Sequence, residues 1–359
     1  MIDHIATTPG LVCAHHHLYS SFARGMPAPP TPASSFEGIL ADIWWRLDAE
    51  MDLEMLYWSA ALGALEALES GTTAIIDHHE SPRAIEGSLD AITRACADVG
   101  VRIRTCYGVS DRWDDRGKLR TRVEPQSRMT RAARQGLDEC ARHIHAGGDG
   151  MVGIHAAFTC SDETIEAAAA LAHELGTGVH VHVAEGAIDA DAGRRLARYA
   201  EEEWILVHAV HLARPLLGTI VHNPRSNLNN AVGYARPAGR RNRVVLGTDG
   251  IGADMMEEAR LAYALLRAHD VTASPDTVWG WLANGWSLMP DARRDAVTWN
   301  FGSMHSPWYL AYTTGIRPLT VVVEGETVLE HGQATRVDPD EIRTKAAEQA
   351  ARLHRRLAA

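Results

Sequence analysis

The chain has 359 residues, 46% apolar, 23% charged and 6% aromatic, which fits one large domain or two ordinary ones. Its net charge is −11, from 35 basic and 46 acidic residues; Lys and Arg are scattered, so nothing supports a nucleic-acid footprint, and polyanions are poor partners. Apolar runs such as Leu11–Ala14 and Ala74–Ile76 fall far short of the ~20 residues that span a bilayer, no basic segment leads into an apolar one at the start, and the five cysteines (Cys13, Cys96, Cys106, Cys140, Cys160) show no C-x-x-C spacing. These features argue against a membrane partner, a disulfide framework and a thiolate zinc site, and predict a cytoplasmic protein.

In chain order, short β-rich apolar runs alternate with helical patterns. Gly10–Ala14 is followed by the Pro-rich loop Met26–Pro32, an aromatic loop and a helix over Met51–Glu69. Then come strand Thr72–Asp77, helix Arg83–Asp98, strand Val101–Tyr107, helix Ser127–His145, strand Met151–His155 and helix Asp162–Leu175. Strand Gly178–Val183, helix Asp189–Glu202, strand Trp204–His208, a short helix Leu212–Leu217, strands Gly218–His222 and Arg243–Thr248, and helix Asp254–His269 complete the alternation. Ser161-Asp-Glu-Thr marks a helix start, and Gly71, Gly100 and Gly176 sit where helix C-caps belong.

Eight strands of near-continuous apolar character joined by helices predict a parallel sheet closed into a (β/α)8 TIM barrel. The rival is an open doubly wound sheet, but no strand runs into a G-x-G-x-x-G or P-loop turn. Further on, Thr320–Val323, Gly325–Leu329 and Gln333–Val337 predict a hairpin-like β segment turning at Gly325 and Gly332, and Pro339–Leu357 a terminal helix. The expected organisation is a barrel over 9–292, a reduced β-sandwich-like domain from 1–8 and 293–337, formed mainly by the C-terminal segment, and a C-terminal helix over 338–359.

In a parallel barrel the functional groups sit where strands end, and several of the 19 histidines fall there. His15 and His17, two apart at the end of the first strand, point to one side of an extended chain while His16 points away. The fifth strand ends in His182 and Glu185, the sixth in His208 with His211 beyond, and the eighth in Thr248-Asp249-Gly250. Imidazoles and a carboxylate around one axis suit a divalent transition metal that keeps an open water position. His78, His79 and Glu80 after the second strand form a second cluster with a structural or substrate-facing role, and His155, ending the fourth, can touch substrate. His222 and Asn223 begin the seventh loop, which Asn227 braces. Arg24, Trp44, Trp45, Trp113 and Arg225 can form a flat aromatic pocket with a cationic handle for a carboxylate or carbonyl; packing under the first long loop is the other reading for Trp44 and Trp45.

Pro9-Gly-Leu-Val-Cys-Ala-His-His-His-Leu, Leu68-Glu-Ser-Gly-Thr-Thr, His180-Val-His-Val-Ala-Glu, Val207-His-Ala-Val-His-Leu, His222-Asn-Pro-Arg-Ser-Asn and Leu246-Gly-Thr-Asp-Gly together resemble the amidohydrolase superfamily. The likeness is to its triazine-hydrolase and guanine/cytosine-deaminase branch, and His17-Leu-Tyr-Ser-Ser-Phe-Ala-Arg-Gly-Met together with Asn223-Pro-Arg-Ser-Asn-Leu-Asn-Asn-Ala-Val-Gly most resembles the SsnA-type aminohydrolases. It covers roughly residues 9 to 270 and, more loosely, 320–332. It implies one metal held by His15, His17, His182 and Asp249, with Glu185 in proton transfer and His208 beside the metal water; imidazole ligands make zinc the first choice and iron the second. The chemistry is coherent: such a metal lowers the pKa of water toward ~7, Asp249 can take a proton from it, Glu185 can deliver one to a ring nitrogen, and His208 can steady the tetrahedral species.

The expected activity is release of ammonia from an amidine-like carbon of a small heterocycle. Removal of chloride or an alkylamine is one alternative and a catalytically silent binding barrel another. Relatives begin with a substantial β segment where only Met1–Thr8 stand here, and the stretch Asp270–Pro290 looks compressed. The first point predicts that Val321 and Val323 lie on an open strand edge. A symmetric homodimer is expected to cover that edge, together with the terminal helix; the alternative is that the helix shields it within one chain.

Overall fold

The computed structural model describes residues 5–120 and 122–358; residues 1–4 of the expected 1–8 segment, and residue 359, lie outside that range. After the short strand β1 (Ala6–Thr8), eight strands pair in parallel and in sequence order: β2 (Leu11–His16), β3 (Thr72–His79), β4 (Arg102–Val109), β5 (Val152–Ala156), β6 (Val179–Val183), β7 (Ile205–His208), β8 (Thr219–His222) and β9 (Val244–Leu246). Every residue of these strands is buried except at the start of β4, because helices cover the outer face and side chains fill the inner one. The turn after β9 brings the ring round to its beginning: the amides of Thr248 and Asp249 donate to the His15 carbonyl at 3.0 and 3.2 Å. The expected TIM barrel is thus present, nearly closed, and it is drawn together at the end where the functional residues sit.

Several helices start where a side chain can cap them. Asp52, Thr130, Ser161 and Asp254 each accept an amide of the first turn of Leu53–Leu68, Arg131–His145, Asp162–Glu174 and Met255–His269. Two expected helices are corrected. Asp189–Glu202 shrinks to Ala192–Leu196, because the Asp189 carboxylate is turned back to the amides of Phe158 and Ala184 at 3.0 and 2.8 Å. Leu212–Leu217 is not helical; Pro215 interrupts it, and Arg240 takes the Ala209 and Leu212 carbonyls instead. The aromatic loop, in contrast, is a helical run from Phe36 to Ala49 with a π-helical stretch at Leu40–Trp44.

The remaining strands form a second sheet, antiparallel and in the order β1, β10 (Ala296–Trp299), β11 (Pro318–Val323), β12 (Glu326–Glu330) and β13 (Gln333–Ala334). It is one sheet rather than a sandwich, and the predicted open edge is not there. β11 is an interior strand, with Val321 opposite Val297 on one side and Leu329 on the other, while Ala6–Thr8 covers β10. Trp299 joins this sheet to the barrel. It is fully buried, packs in one core with Leu11, Leu68 and Ile75, and donates its indole N–H to Thr8 Oγ1 at 2.8 Å. Gly71 permits the approach: its φ is +82° and a Cβ there would run into the Trp299 ring.

The terminal helix Pro339–Ala358 folds onto the barrel rather than onto the sheet edge. Leu353 and Leu357 pack with Tyr19, Phe22, Leu47 and Met55, and Arg352 and Arg356 both reach Asp52, at 2.6 and 2.8 Å. No helix among the described residues is long and apolar enough to cross a membrane.

Candidate active site

Strand ends bring four donors together. His15 Nε2 lies 2.9 Å and His17 Nε2 3.2 Å from Asp249 Oδ1, and His17 Nε2 is 3.2 Å from His182 Nε2. One donor atom from each of these four residues falls within 4.8 Å of all the others. Their rear nitrogens are held. His17 Nδ1 donates to the His78 carbonyl at 2.5 Å and His182 Nδ1 to the His155 carbonyl at 2.7 Å. A carbonyl only accepts, so both imidazoles carry their proton on Nδ1 and turn the Nε2 lone pair inward. His15 Nδ1 meets His180 Nε2 at 2.9 Å.

This donor set fits a divalent metal. Two inward lone pairs 3.2 Å apart repel unless a cation or proton lies between them. Their separation is close to the ~3.3 Å edge of a tetrahedron with zinc–nitrogen bonds of about 2.0–2.1 Å. Charge agrees: burial opposes a charged His17, yet Asp249 raises its pKa. Burial also works against the Asp249 carboxylate, but His208, His15 and His17 hold it well below the usual range. Carbonyls and a neighbouring imidazole orienting the rear nitrogens are the outer support that metal-ligating histidines need.

Glu185 and His208 stand beside this set. His208 Nδ1 donates to Asn227 Oδ1 at 2.8 Å, which leaves its Nε2 3.4 Å from Glu185 Oε2 and 3.7 Å from Asp249 Oδ1. Burial raises the Glu185 pKa, and Asn230 donates to its other oxygen at 3.1 Å. Ser226 Oγ bonds the second oxygen of Asp249. The backbone here is strained: Ala184, His208, Ala209, Asp249 and Ile251 all have φ between +49° and +69°, a region that non-glycine residues rarely occupy and that clusters at functional sites.

A cavity of about 1070 Å³, its open mouth included, lies over these groups. Trp44, Trp45 and His155 line it, with Tyr19 and Phe36. Two residues expected at the substrate, Arg24 and His78, lie outside the cavity lining. Arg24 is absent from the lining and pairs with Glu66 at 2.8 Å. His78 is fully buried beneath the cluster, its Nε2 3.1 Å from the Ile154 carbonyl. Arg225 lines the wall, with its Nε bonded to Glu258 at 2.7 Å and its Nη2 to the Gly250 carbonyl at 2.8 Å, contacts that also brace the turn carrying Asp249. Trp113 is also absent from the lining. The sequence reading missed Asp48 and Arg112; an arginine placed just past an apolar strand, in Val109-Ser-Asp-Arg112, was the available signal.

The amidohydrolase family model matches residues 6–278. The 5′-deoxyadenosine deaminase of Methanopyrus kandleri is 27% identical over 96% of this chain and 86% of its own length. The 5-methylthioadenosine/S-adenosylhomocysteine deaminase of Desulforudis audaxviator is 26% identical over 97% and 87%. In fold, a mutant atrazine chlorohydrolase of Arthrobacter aurescens, solved with zinc and atraton, superposes with a TM-score of 0.78 at 20% identity, over 97% of this chain and 89% of that one. With three quarters of its length matched by the family model and its barrel ending in this donor set, the chain belongs to the amidohydrolase family, enzymes that here hydrolyse carbon–nitrogen bonds.

Proposed function

We propose that this chain is a metal-dependent deaminase of adenosine-type nucleosides, replacing the exocyclic amine of the purine with oxygen and releasing ammonia. The observation that carries the reading is the convergence of three imidazole nitrogens and Asp249 beside a buried Glu185. The names of its full-length relatives support the substrate class. Those relatives act, by name, on adenosines altered at the 5′ position.

His15, His17, His182 and Asp249 would hold the metal, zinc by the nitrogen-rich donor set; when bound, such an ion supplies a Lewis acid that lowers the pKa of water. Asp249 would offer the oxygen facing the imidazoles to the metal, Ser226 fixes its other oxygen, and the carboxylate would take up the proton released from water. Glu185, whose burial favours its protonated form, delivers a proton to the ring nitrogen next to the carbon under attack. Asn230 and His208 hold it in place, and His208 Nε2 faces the region where negative charge develops. Arg225 keeps Asp249 in position through Gly250.

A silent barrel is not favoured, since no donor is missing. A cytoplasmic location accords with five buried, unbridged cysteines. Self-association as a homodimer is proposed on a different surface from the strand edge: Trp308, Tyr309 and Tyr312 are 50%, 51% and 72% exposed, and Trp308 stacks on Tyr312. Light scattering showing a monomer contradicts it. The deaminase reading is tested by ammonia release from zinc-loaded protein with adenosine, 5′-deoxyadenosine and 5′-methylthioadenosine, beside pyrimidines, pterins and triazines. Adenosines turned over best support it, and turnover confined to another class overturns it.

A further inference from the structure

Beyond the end of β6 the chain runs through Ala184 and Glu185 into a turn that the Asp189 amide closes on the Gly186 carbonyl at 3.0 Å. That turn brings the Asp189 side chain back beneath the strand end, where the residue is 3% exposed. Its Oδ2 accepts the Ala184 amide at 2.8 Å and its Oδ1 the Phe158 amide at 3.0 Å. Asp189 is part of the cavity wall, yet both of its oxygens are bonded to backbone.

Ala184 needs such a hold. Its φ is +49°, a left-handed conformation that is unfavourable for any residue with a Cβ, and it directly precedes Glu185. On its other side the Ala184 carbonyl accepts the His211 amide at 2.8 Å. With its N–H on Asp189 and its C=O on His211, both peptide planes that flank Ala184 are fixed, and the direction in which Glu185 leaves the backbone follows from them. An amide bonded to a carboxylate is a charge-assisted contact, stronger than one to a neutral acceptor. The Phe158 bond ties the same carboxylate to the short turn Ala157–Thr159 after β5, the strand whose His155 carbonyl orients His182. Gly186 lets the turn close from above, since a Cβ there would run into the Phe36 ring.

We propose that Asp189 is a positioning residue for the proton transfer: by holding the Ala184 amide it maintains the strained backbone that aims the Glu185 carboxyl into the cavity beside His208. This inference rests on the role given to Glu185 above. The groups that Asp189 bonds are backbone amides, so its effect on the reaction passes through Glu185 rather than through substrate or metal.

The test is a double-mutant cycle on zinc-loaded protein: parent, Asp189→Asn, Glu185→Gln and the two combined, with melting temperature and metal content confirming fold and loading. Kinetics are run at about pH 8, above the value of about 7 to which burial lifts the Asp189 carboxyl, on the compound that the parent turns over best. Asparagine keeps one acceptor oxygen and sets an N–H against the other amide. Asp189→Asn is expected to lower kcat about 10- to 100-fold, the range for a hydrogen bond to a charged group, with KM within about threefold of the parent's. On the Glu185→Gln background the same substitution should change kcat less than about threefold, because residues that act as a unit are not additive. An equal loss in both backgrounds, or a change confined to KM, overturns the inference. Crystal structures of parent and Asp189→Asn give a reading independent of activity. In the variant Glu185 Oε2 should leave its place 3.4 Å from His208 Nε2 and Ala184 its positive φ; an unmoved Glu185 overturns the inference. Should the parent deaminate no nucleoside, the nucleoside reading fails by itself, and the crystal structures still decide the role of Asp189. Asp189→Ser takes the place of Asp189→Asn if that variant does not fold; if neither folds, Asp189 is a structural residue only and the inference is overturned.

Discussion

The catalytic rim of the barrel and the small antiparallel sheet are assembled by opposite kinds of contact. At the rim each functional side chain lies in the last two residues of an apolar strand or within a few residues beyond it, so its place along the chain fixes its place around the axis. In the sheet the decisive pairing joins Ala6 to Trp299 and Thr8 to Val297, nearly the whole chain apart. The rim carries chemistry and strain, the sheet carries packing. A change at the rim should therefore move rate at nearly constant stability, and a change in the sheet should do the reverse.

Glu185→Gln presses hardest on that division. Turnover should fall roughly 10²- to 10⁴-fold while metal content and melting temperature stay near the parent's. Near-parental turnover in steady-state ammonia release would move the proton-transfer role to His208. Trp299→Ala is the opposite case: it should lose about 3–5 kcal/mol in denaturant unfolding, and the folded fraction should keep its kcat. A loss below about 1 kcal/mol would contradict a core shared by sheet and barrel.

Asp77 refines the comparison, as a buried carboxyl of β3 with no contact to substrate. It accepts the Leu18 amide at 2.8 Å and the Thr105 hydroxyl at 3.1 Å, and burial lifts its pKa from 3.8 to about 6. The folded chain thus binds a proton here more tightly than the unfolded one. Stability from this group is fullest below the unfolded pKa and is lost as pH rises to about 6, a change on the order of 3 kcal/mol. Asp77→Asn removes that dependence, so its advantage over the parent in urea unfolding should grow between pH 4 and pH 7 and then level off. A difference independent of pH would mean that Asp77 is ionised throughout. Arg24→Ala should do least: its partner is Glu66 at the surface, such pairs contribute about 0–1 kcal/mol, and KM should change less than twofold. A tenfold rise in KM would return Arg24 to the pocket.

The alternation of apolar runs and helices made the barrel legible, and the H-x-H, H-x-x-E, His and T-D-G endings brought His15, His17, His182, Glu185, His208 and Asp249 into view as one set. What escaped was the grouping of Arg112, Asp48 and Glu80, which come from three separate elements that no spacing rule joins. The helical run above the pocket hid behind Pro27–Pro32 and the helix-poor Gly38, Trp44 and Trp45; Ser35 caps its start, accepting the Gly38 amide at 3.1 Å, and packing over the cavity sustains it. The strand edge was misjudged because β10 lies in a stretch that the periodicity left unassigned, and a strand's neighbours are set by tertiary pairing. Arg24 and Arg225 had suitable charge, but the partners that engage them, Glu66 and Glu258, are more than 30 residues away in sequence.

The central claim is that the four donors hold one metal ion, and elemental analysis of purified protein tests it most directly. Parent and His15→Ala/His17→Ala double variant are purified without added metal and measured by inductively coupled plasma mass spectrometry. The account predicts one transition-metal ion per chain in the parent, zinc foremost, and its loss from the folded variant. A parent that deaminates without metal, or a double variant with unchanged metal content, would contradict it.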